Sequence, residues 1–326
     1  FYRKNGKIEK YLQEIEICKK LIDLLPQLPS LEENIRRKSL LRSSVFSARI
    51  EGNRLTVEDF HLSSFINPKD RKKKEIFNIL AALGWIYSSS PQKLTQDLIL
   101  KLHQMVMREL SPEAGHFRTE VSAIFNQAGV AIYITPPPNQ ISGLVHEFIR
   151  FTTLSQHPGP ITAALSHFAF EKIHPFMDGN GRVGRLLSTY ILKNTNYHLR
   201  GLISLEEFFD NRKETYYDLL AQKSLDITDF VEFFLEGLVS QANKLLEDIK
   251  KSDRESPQDN LLPRRREILE IIKDHHVVSF DFIRRRFTQV ASSTLHYDLS
   301  KLLKGGFIRK LGNTNGVLYT TSAKKI

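Results

Sequence analysis

The feature that most constrains this chain is a glycine-rich stretch between two segments predicted to be helices, Ile161–Ile173 and Arg182–Asn194. The sequence that joins them is HPFMDGNG, and it begins at His174. Gly179 and Gly181 can adopt positive φ angles, which lets successive backbone N–H groups point towards one place. Because a helix begins directly after this turn, we expect an anion-binding site at the N-terminus of the second helix.

The side chains of the same stretch suit phosphate chemistry. Arg182 and Arg185 are three residues apart, so they share a helix face and can bind phosphate oxygens. Asp178 offers a hard oxygen ligand for Mg²⁺, and His174 can take a proton from a hydroxyl group. Phe176 is expected to be buried beneath the loop. This set indicates phosphoryl or nucleotidyl transfer, although no Gly-Lys-Ser/Thr follows and the loop is therefore not a P-loop.

The first 260 residues are predicted to be mainly α-helical, with one short β-hairpin formed by Gly115–Arg118 and Val130–Thr135. Apolar residues recur there at helical spacing, and the interruptions carry Pro, Gly or capping residues. The other predicted helices are Ile8–Leu25, Leu31–Ile50, a short one after Thr56, Lys74–Tyr87, Thr95–Leu110, Ser142–Phe151, Asn211–Ser224 and Ile227–Ile249.

A polar stretch, residues 251–260, has no apolar side chain and is predicted to be a linker. The helical patterns Arg264–His275, Phe280–Phe287 and Ser292–Lys304 follow it. Two predicted strands, Phe307–Lys310 and Val317–Thr321, come next. The order indicates a winged helix-turn-helix domain. The predicted organisation is therefore an N-terminal helical region 1–93, a catalytic core 94–250, the linker, and a C-terminal domain 261–326.

Charge is concentrated at the C-terminal end. The chain has a formal net charge of +10, and residues 261–326 contain 13 Lys and Arg against five Asp and Glu. Such an excess indicates a polyanionic partner such as duplex DNA, although a solvated lysine-rich surface is the alternative. In the third helix we expect a buried face of Leu295, Leu299, Leu302 and Leu303. The exposed face is then Ser292, Ser293, His296 and Ser300, beside Lys301 and Lys304. A winged helix that docks on protein is the other possibility.

Two further observations limit the location and partners of the chain. Cys18 is its single cysteine, so no intrachain disulfide and no Cys-based zinc site can form. This suits a reducing, cytoplasmic compartment. No apolar run approaches the ~20 residues that a membrane span requires, so no membrane partner is expected.

The stretch from His174 to Arg185 resembles the signature of the Fic family, His-Pro-Phe-x-Asp-Gly-Asn-Gly-Arg-x-x-Arg, at every specified position. Segments around Gly115–Arg118, Tyr133–Pro137 and Tyr216–Leu220 are also similar to the family, so that the resemblance spans about 94–238. It implies a Fic-type helical bundle with a β-hairpin flap. It also implies transfer of AMP from ATP to a Ser, Thr or Tyr hydroxyl of a protein, with release of pyrophosphate. The relatives that act as kinases carry altered residues at Gly179–Arg182.

The resemblance also implies roles for individual residues. His174 would be the base for the target hydroxyl, and Asp178 would bind Mg²⁺. Tyr216 would line the nucleoside pocket, although ordinary helix packing explains a tyrosine there equally well. The residues implied to bind ATP are Gly179, Asn180 and Gly181 at the α- and β-phosphates, Arg182 and Arg185 at the outer phosphates, and Val183, Gly184 and Tyr216 around them.

A second motif, Ser47–Asn53, resembles the family's inhibitory motif Ser/Thr-x-x-x-Glu-Gly/Asn. Its place before the loop is similar to the class with an N-terminal inhibitory helix. In that class the glutamate, here Glu51, pairs with the second arginine, Arg185, and blocks the γ-phosphate position. Ser47 and Gly52 would shape the helix end. Taken alone, the motif is also what an ordinary helix terminus looks like.

The hairpin, or flap, would align the target protein by strand addition through Ile132, Tyr133, Ile134 and Thr135. Two other functions fit the same residues: removal of AMP from a modified protein, with Glu51 positioning water, and a DNA-binding regulator that senses nucleotide. The intact His174 argues against a pure sensor. The expected partners are ATP with Mg²⁺, a protein target that includes the chain itself, duplex DNA at 261–326, and a second copy in a homodimer.

Overall fold

The structure is a computed structural model that describes residues 1–24, 29–62, 70–90, 93–125, 131–252, 261–312 and 317–322. The chain divides into two compact units, Phe1–Glu247 and Asp248–Ile326. Both are mainly helical, as predicted. The predicted N-terminal region 1–93 and residues 94–247 of the predicted core 94–250 share the first unit.

The helices of the first unit largely follow the predicted segments. They are α1 (Gly6–Leu24), α2 (Pro29–Ile50), α3 (Val57–Leu62), α4 (Arg71–Ser88), α5 (Gln96–Met107), α6 (Pro138–Leu154), α7 (Gly159–Ile173), α8 (Asn180–Asn194), α9 (Leu205–Asn211), α10 (Lys213–Ala221) and α11 (Thr228–Ser252). A single 3₁₀ turn, Leu199–Gly201, precedes α9. The predicted helix from Asn211 is shorter than expected, and α9 was not predicted.

Local side chains explain where several helices begin. The Asp70 carboxylate accepts hydrogen bonds from the backbone N–H groups of Lys72 and Lys73, and the Thr95 hydroxyl accepts one from Leu98. Both therefore satisfy N–H groups that have no partner within their helix. These caps fix the starts of α4 and α5, two helices that pack near the glycine-rich loop.

Helices α7 and α8 form the centre of the first unit. Twelve residues of α7 and eleven of α8 are buried, so apolar contacts surround both helices. One apolar cluster contains Ile79, Leu102 and Val183, and the other contains Ile161 and Phe230. The loop between α7 and α8 is thus anchored at both ends in a packed core.

The predicted hairpin is present, and its second strand lies within the predicted Val130–Thr135, but its first strand lies later in the chain than predicted. Strand β1 (Ala123–Phe125) pairs antiparallel with β2 (Ala131–Ile134), with Ala123 opposite Ile134. The prediction of a strand at Gly115–Arg118 was wrong, because this segment is a turn and loop whose hydrogen bonds go to side chains and to the glycine-rich loop.

The second unit contains α12 (Pro263–His275), β3 (Val277–Ser279), α13 (Phe280–Arg286), α14 (Ser292–Lys304), β4 (Ile308–Leu311) and β5 (Leu318–Thr321). The sheet is antiparallel in the order β3-β5-β4, and β3 was not predicted. Leu295, Leu299 and Leu302 are buried as expected. Residues 313–316, between β4 and β5, and residues 253–260 of the predicted linker lie outside the described residues. The first two residues of the predicted linker, 251–252, belong to the end of α11.

Within the described parts of the chain, every helix is too short or too polar to span a bilayer.

Candidate active site

The glycine-rich loop makes two sharp backbone turns. His174 ends α7 with φ 48°, and Gly179 precedes α8 with φ 82°. Between them, the Asn180 side chain accepts a hydrogen bond from the Phe176 N–H (2.9 Å) and donates one to the Phe176 carbonyl (2.8 Å). The Asn180 side chain therefore shapes the loop, and only its backbone N–H remains for a phosphate.

Phe176 is fully buried, as the sequence predicted, and its ring stacks on His103 with 3.7 Å between ring centroids. The Gly115 N–H donates to His103 Nδ1 (2.9 Å), so Nε2 carries the proton and donates to the Asp178 carbonyl (3.1 Å). Burial lowers the pKa of His103 to about 4, which keeps the ring neutral. The role of His103 was not predicted, because a lone histidine in an apolar helix carries no motif.

Arg118 ties the loop to the segments that flank the hairpin. Its side chain is buried and donates to the carbonyls of His174 (2.9 Å), Glu120 (2.8 Å) and Pro136 (2.5 Å). The Arg118 N–H also donates to Pro175 O (3.0 Å). A single residue thereby fixes the position of the hairpin relative to His174.

His174 is set up to accept a proton. Burial lowers the pKa of its imidazole to about 4, so the ring is neutral near pH 7. Its Nδ1 atom is buried and has no hydrogen-bond partner among the described residues. A neutral imidazole at the edge of an anion site can act as a general base.

Arg185 is buried and is held by the end of α2. Its Nε donates to Ser47 Oγ (3.0 Å), while Nη2 donates to Ser47 O (2.9 Å) and to Glu51 Oε1 (2.8 Å). Ser47 thus contacts Arg185 directly, which is more than the predicted shaping of a helix end. Burial alone would raise the pKa of Glu51, but Arg185 and Arg182 outweigh it, so the pKa lies below its usual value and the carboxylate is charged.

The Glu51 carboxylate lies at the first turn of α8. A Cβ atom built on Gly181 would be 2.3 Å from Glu51 Oε1, so a side chain at this position would displace the carboxylate. Gly52 follows with φ 97°, a conformation that glycine adopts readily at the end of a helix. No side chain caps α8 at Gly179, so Glu51 is an anion at the free end of the helix.

Arg182 occupies the other side of the same turn. Its Nη1 donates to Glu75 Oε1 (2.7 Å), and its Nη2 donates to Asp178 Oδ1 (2.5 Å). The Asp178 side chain is 64% exposed, whereas Arg182 is almost fully covered. Arg182 and Asp178 were predicted from the loop motif, whereas Glu75 was not predicted, because it lies in a helix without a motif.

The remaining predicted ATP contacts are in the core. Tyr216 is 1% exposed, stacks on Phe209, and donates its hydroxyl to His167 Nε2 (2.7 Å). This burial matches the helix-packing alternative, and a place for Tyr216 in a nucleoside pocket stays a prediction. Val183 is also fully buried, so its side chain belongs to the core.

Gly184 has a packing role. A Cβ atom there would be 2.4 Å from Oε1 of Glu171, so the absence of a side chain makes room for this buried carboxyl group. Burial raises the pKa of Glu171 to about 8.

The hairpin presents its outer residues in alternation. Ile134 is 73% exposed. The Tyr133 side chain points toward α7, where its hydroxyl donates to Lys172 O (3.1 Å). Thr135 is buried, and its hydroxyl donates to Ser122 O (2.7 Å). The side chain of Ile132 lies outside the described residues. Of the described flap positions, Ile134 therefore projects to solvent.

Comparisons with known proteins find one matching family and several similar sequences. Residues 93–192 match the Fic/DOC family. The protein adenylyltransferase Fic of Drosophila persimilis is 28% identical over 240 residues, which cover 70% of this chain and 45% of that protein. The Drosophila melanogaster protein of the same name is 27% identical over 240 residues, covering 70% of this chain and 46% of its own length. The chain thus spans about half the length of these curated relatives.

Solved structures show the same fold. A Fic family protein from Desulfovibrio desulfuricans G20 has a TM-score of 0.70 at 22% identity, covering 100% of this chain and 98% of its own. Fic-1 (aa134–508) from C. elegans has a TM-score of 0.61 at 22% identity, covering 75% and 73%.

Proposed function

We propose that this chain, which carries a Fic/DOC-family domain at residues 93–192, transfers AMP from ATP to a hydroxyl group of a protein. The observation that carries the proposal is a neutral His174 beside the uncapped N-terminus of α8, where a phosphate would bind. The relatives named protein adenylyltransferase support the same chemistry.

In this reaction the target hydroxyl oxygen attacks the α-phosphorus of ATP. The bond from that phosphorus to the oxygen shared with the β-phosphate breaks, and pyrophosphate leaves. His174 accepts the proton of the attacking hydroxyl. The first N–H groups of α8 have no partner within the helix, so they can stabilise the negative charge on the phosphate oxygens. Arg182 and Arg185 would bind the outer phosphates.

The residues present fit a magnesium ion that arrives with the nucleotide. Among the described residues no group of three or more His, Cys, Asp or Glu forms a complete metal site. Asp178 is an exposed carboxylate in the loop, and Mg²⁺ is often held by one carboxylate together with substrate phosphates. Bound there, the ion would neutralise part of the phosphate charge.

We also propose that Glu51 inhibits the reaction. Its carboxylate is an anion on Arg185 and beside Gly181, the place where an outer phosphate would bind. Ser47 accepts hydrogen bonds from Nε and Nη2 of Arg185 and so stabilises the blocked state. Release of Glu51 would free the guanidinium for ATP.

For target binding we propose strand addition at β2. Ile134 is the exposed apolar side chain of this strand, and Arg118 fixes the hairpin relative to His174. Backbone pairing along Ile132–Thr135 would then bring a target hydroxyl to the loop.

For residues 261–326 we propose a winged helix-turn-helix domain that binds duplex DNA. Arg264 and Arg265 are not available, since both pair with the buried Asp298. Arg284 and Arg285 are exposed and line a groove that includes Ser292, at the start of α14. These positions suit phosphate contacts beside a helix that enters a groove. A homodimer and a cytoplasmic location stay predictions.

The transfer reaction is tested with the full chain carrying Glu51→Gly, incubated with target lysate and ATP labelled at either the α- or the γ-phosphorus. Label on protein from α-labelled ATP alone supports AMP transfer. Label from γ-labelled ATP would instead show phosphoryl transfer. No protein label, together with AMP release from a previously modified protein, would favour the reverse reaction.

A further inference from the structure

Arg182 is shared by two carboxylates that come from different elements. Glu75, in α4, accepts from Nη1, and Asp178, in the loop, accepts from Nη2. The side chains of Arg182 and Glu75 are 6% and 15% exposed, in contrast to 64% for Asp178. Water therefore screens the Arg182–Glu75 pair less than it screens Asp178.

Glu75 is itself held in place. Its second oxygen, Oε2, accepts a hydrogen bond from Asn53 Nδ2 (2.8 Å), and the same amide donates to Lys72 O (2.9 Å). Asn53 Oδ1 accepts from the Leu55 N–H (3.1 Å). Because both carboxylate oxygens of Glu75 have partners, its orientation toward Arg182 is fixed before any ligand binds.

We propose that Glu75 is a positioning residue that shares Arg182 with Asp178 and so keeps the Asp178 carboxylate available for Mg²⁺. This inference rests on the proposed transfer of AMP. The charges of Glu75, Asp178 and Arg182 sum to −1, so these three groups favour a cation beside the Asp178 carboxylate. Arg182 Nη2 and the Gly179 N–H both donate to Asp178 Oδ1, so an ion would bind Oδ2 of this carboxylate. Without the charge of Glu75, the positive charge of Arg182 would act on Asp178 alone and weaken its attraction for the ion.

The Arg182 guanidinium has one more donor for the nucleotide. Its Nε is buried and has no hydrogen-bond partner among the described residues. Because Nη1 donates to Glu75, the plane of the guanidinium is fixed, and the Nε–H bond of Arg182 points in one direction. A phosphate oxygen that reaches it would meet a preorganised donor, which costs less than ordering a free arginine.

The test uses the full chain with Glu51→Gly as parent, and adds Glu75→Gln. Binding of a fluorescent ATP analogue is titrated with MgCl₂, alongside labelling from α-labelled ATP. Loss of a direct partner of a metal ligand typically costs about 10- to 100-fold in metal affinity. Glu75 acts on Asp178 through Arg182, so we expect the MgCl₂ midpoint to rise by about 3- to 10-fold. A midpoint within about twofold of the parent would overturn the inference.

Two further variants separate positioning from stability. Glu236→Gln is the matched control, because it removes the same charge from an Arg–Glu pair with Arg212 (2.6 Å) away from the loop; its midpoint should equal the parent's. Asn53→Ala keeps the charge of Glu75 but removes the hydrogen bond to its Oε2, so we expect a smaller rise in the MgCl₂ midpoint. This variant is the test if Glu75→Gln fails to fold. An unchanged midpoint for Asn53→Ala in that case would reject the role.

The outcome also separates this inference from the proposed function. A parent that binds the ATP analogue with Mg²⁺ but labels no protein would reject AMP transfer, while the shift in midpoint still tests Glu75. A parent that labels protein, with Glu75→Gln unchanged in both readouts, would reject the role of Glu75 alone.

Discussion

The two units of the chain place the arginines of their candidate sites in opposite settings. In Phe1–Glu247, Arg182 and Arg185 are buried and paired with carboxylates, so the position of each guanidinium is defined by its partners. In Asp248–Ile326, Arg284 and Arg285 are exposed at the end of α13. Buried charge has to be paired to be tolerated, and its partners therefore reveal a site. Exposed charge is compatible with many partners, so it indicates a class of ligand without specifying its geometry.

The difference also applies within the second unit. Asp298 is 1% exposed and binds both Arg264 (2.5 Å) and Arg265 (2.9 Å), which joins α12 to α14. Two residues of the basic run 264–266 thus stabilise the unit. The excess of positive charge overstates the surface that is free for a polyanion.

The sharpest test of the buried site is His174→Ala in the Glu51→Gly background. Removal of a general base typically lowers the rate by about 10²- to 10⁴-fold. Binding of ATP should survive, because the phosphate contacts come from α8 and the arginines. Labelling from α-labelled ATP is measured together with binding of a fluorescent ATP analogue. Near-normal labelling would show that another group takes the proton.

The pairing of Arg185 is tested by Glu51→Gly in the otherwise unchanged chain. A blocked state favoured about 100-fold predicts an increase of about 100-fold in auto-labelling. Ser47→Ala should raise it much less, because the Ser47 carbonyl still accepts from Nη2. Glu236→Gln is the control for loss of a charge. Equal labelling by Glu51→Gly and the unchanged chain would leave Ser47–Asn53 as an ordinary helix terminus.

The burial of His174 predicts an unusual pH profile. Its lowered pKa, about 4, keeps the imidazole neutral as the pH falls from 8 to about 5, so activity should hold over this range. An ordinary histidine with a pKa near 6.5 would be only about one-tenth neutral at pH 5.5. Labelling by Glu51→Gly at pH 8 to 5 is compared with binding of the ATP analogue at each pH, since the phosphates titrate as well. A tenfold fall by pH 5.5 without loss of binding would contradict the burial.

Acid should not release the block either. The pKa of Glu51 is lowered overall by its arginines, so its carboxylate keeps its charge until the pH falls below the usual range for glutamate. The unchanged chain should therefore remain as inhibited at pH 5.5 as at pH 8. If labelling rose at pH 5.5 in the unchanged chain but not in Glu51→Gly, acid would release the block and this prediction would be wrong.

The smallest expected effect concerns the exposed arginines. Each phosphate contact contributes about −0.9 to the slope of log affinity against log salt, so Arg284→Ala with Arg285→Ala should flatten it by up to about 2. Lys273→Ala is a control, because Lys273 is paired with Glu270. Binding of the full chain to duplex DNA is measured over a salt series. A slope that is the same in the double variant, or no binding at low salt, would favour a domain that docks on protein.

Features set by neighbours in sequence were predictable. The bounds of α14, the buried leucine face, and the position of Phe176 under the loop follow from helical spacing and from glycine positions. The strand predicted at Gly115–Arg118 failed because the Gly115 N–H donates to the His103 side chain and the Arg118 N–H to the Pro175 carbonyl, both outside any sheet. A short segment without strong periodicity has no local signal that excludes a strand.

The sequence by itself therefore determined most of the helices, the glycine-rich loop and the chemistry of the residues that the loop carries. Tertiary structure decided which charges meet: Glu75 reaches Arg182 across 107 positions, and Glu51 reaches Arg185 across 134. The second contact was expected only through the family resemblance, and the burial of Tyr216 was left open. Spacing along one helix fixes which side chains share a face, whereas contacts between distant segments depend on how α2 and α4 pack against α8.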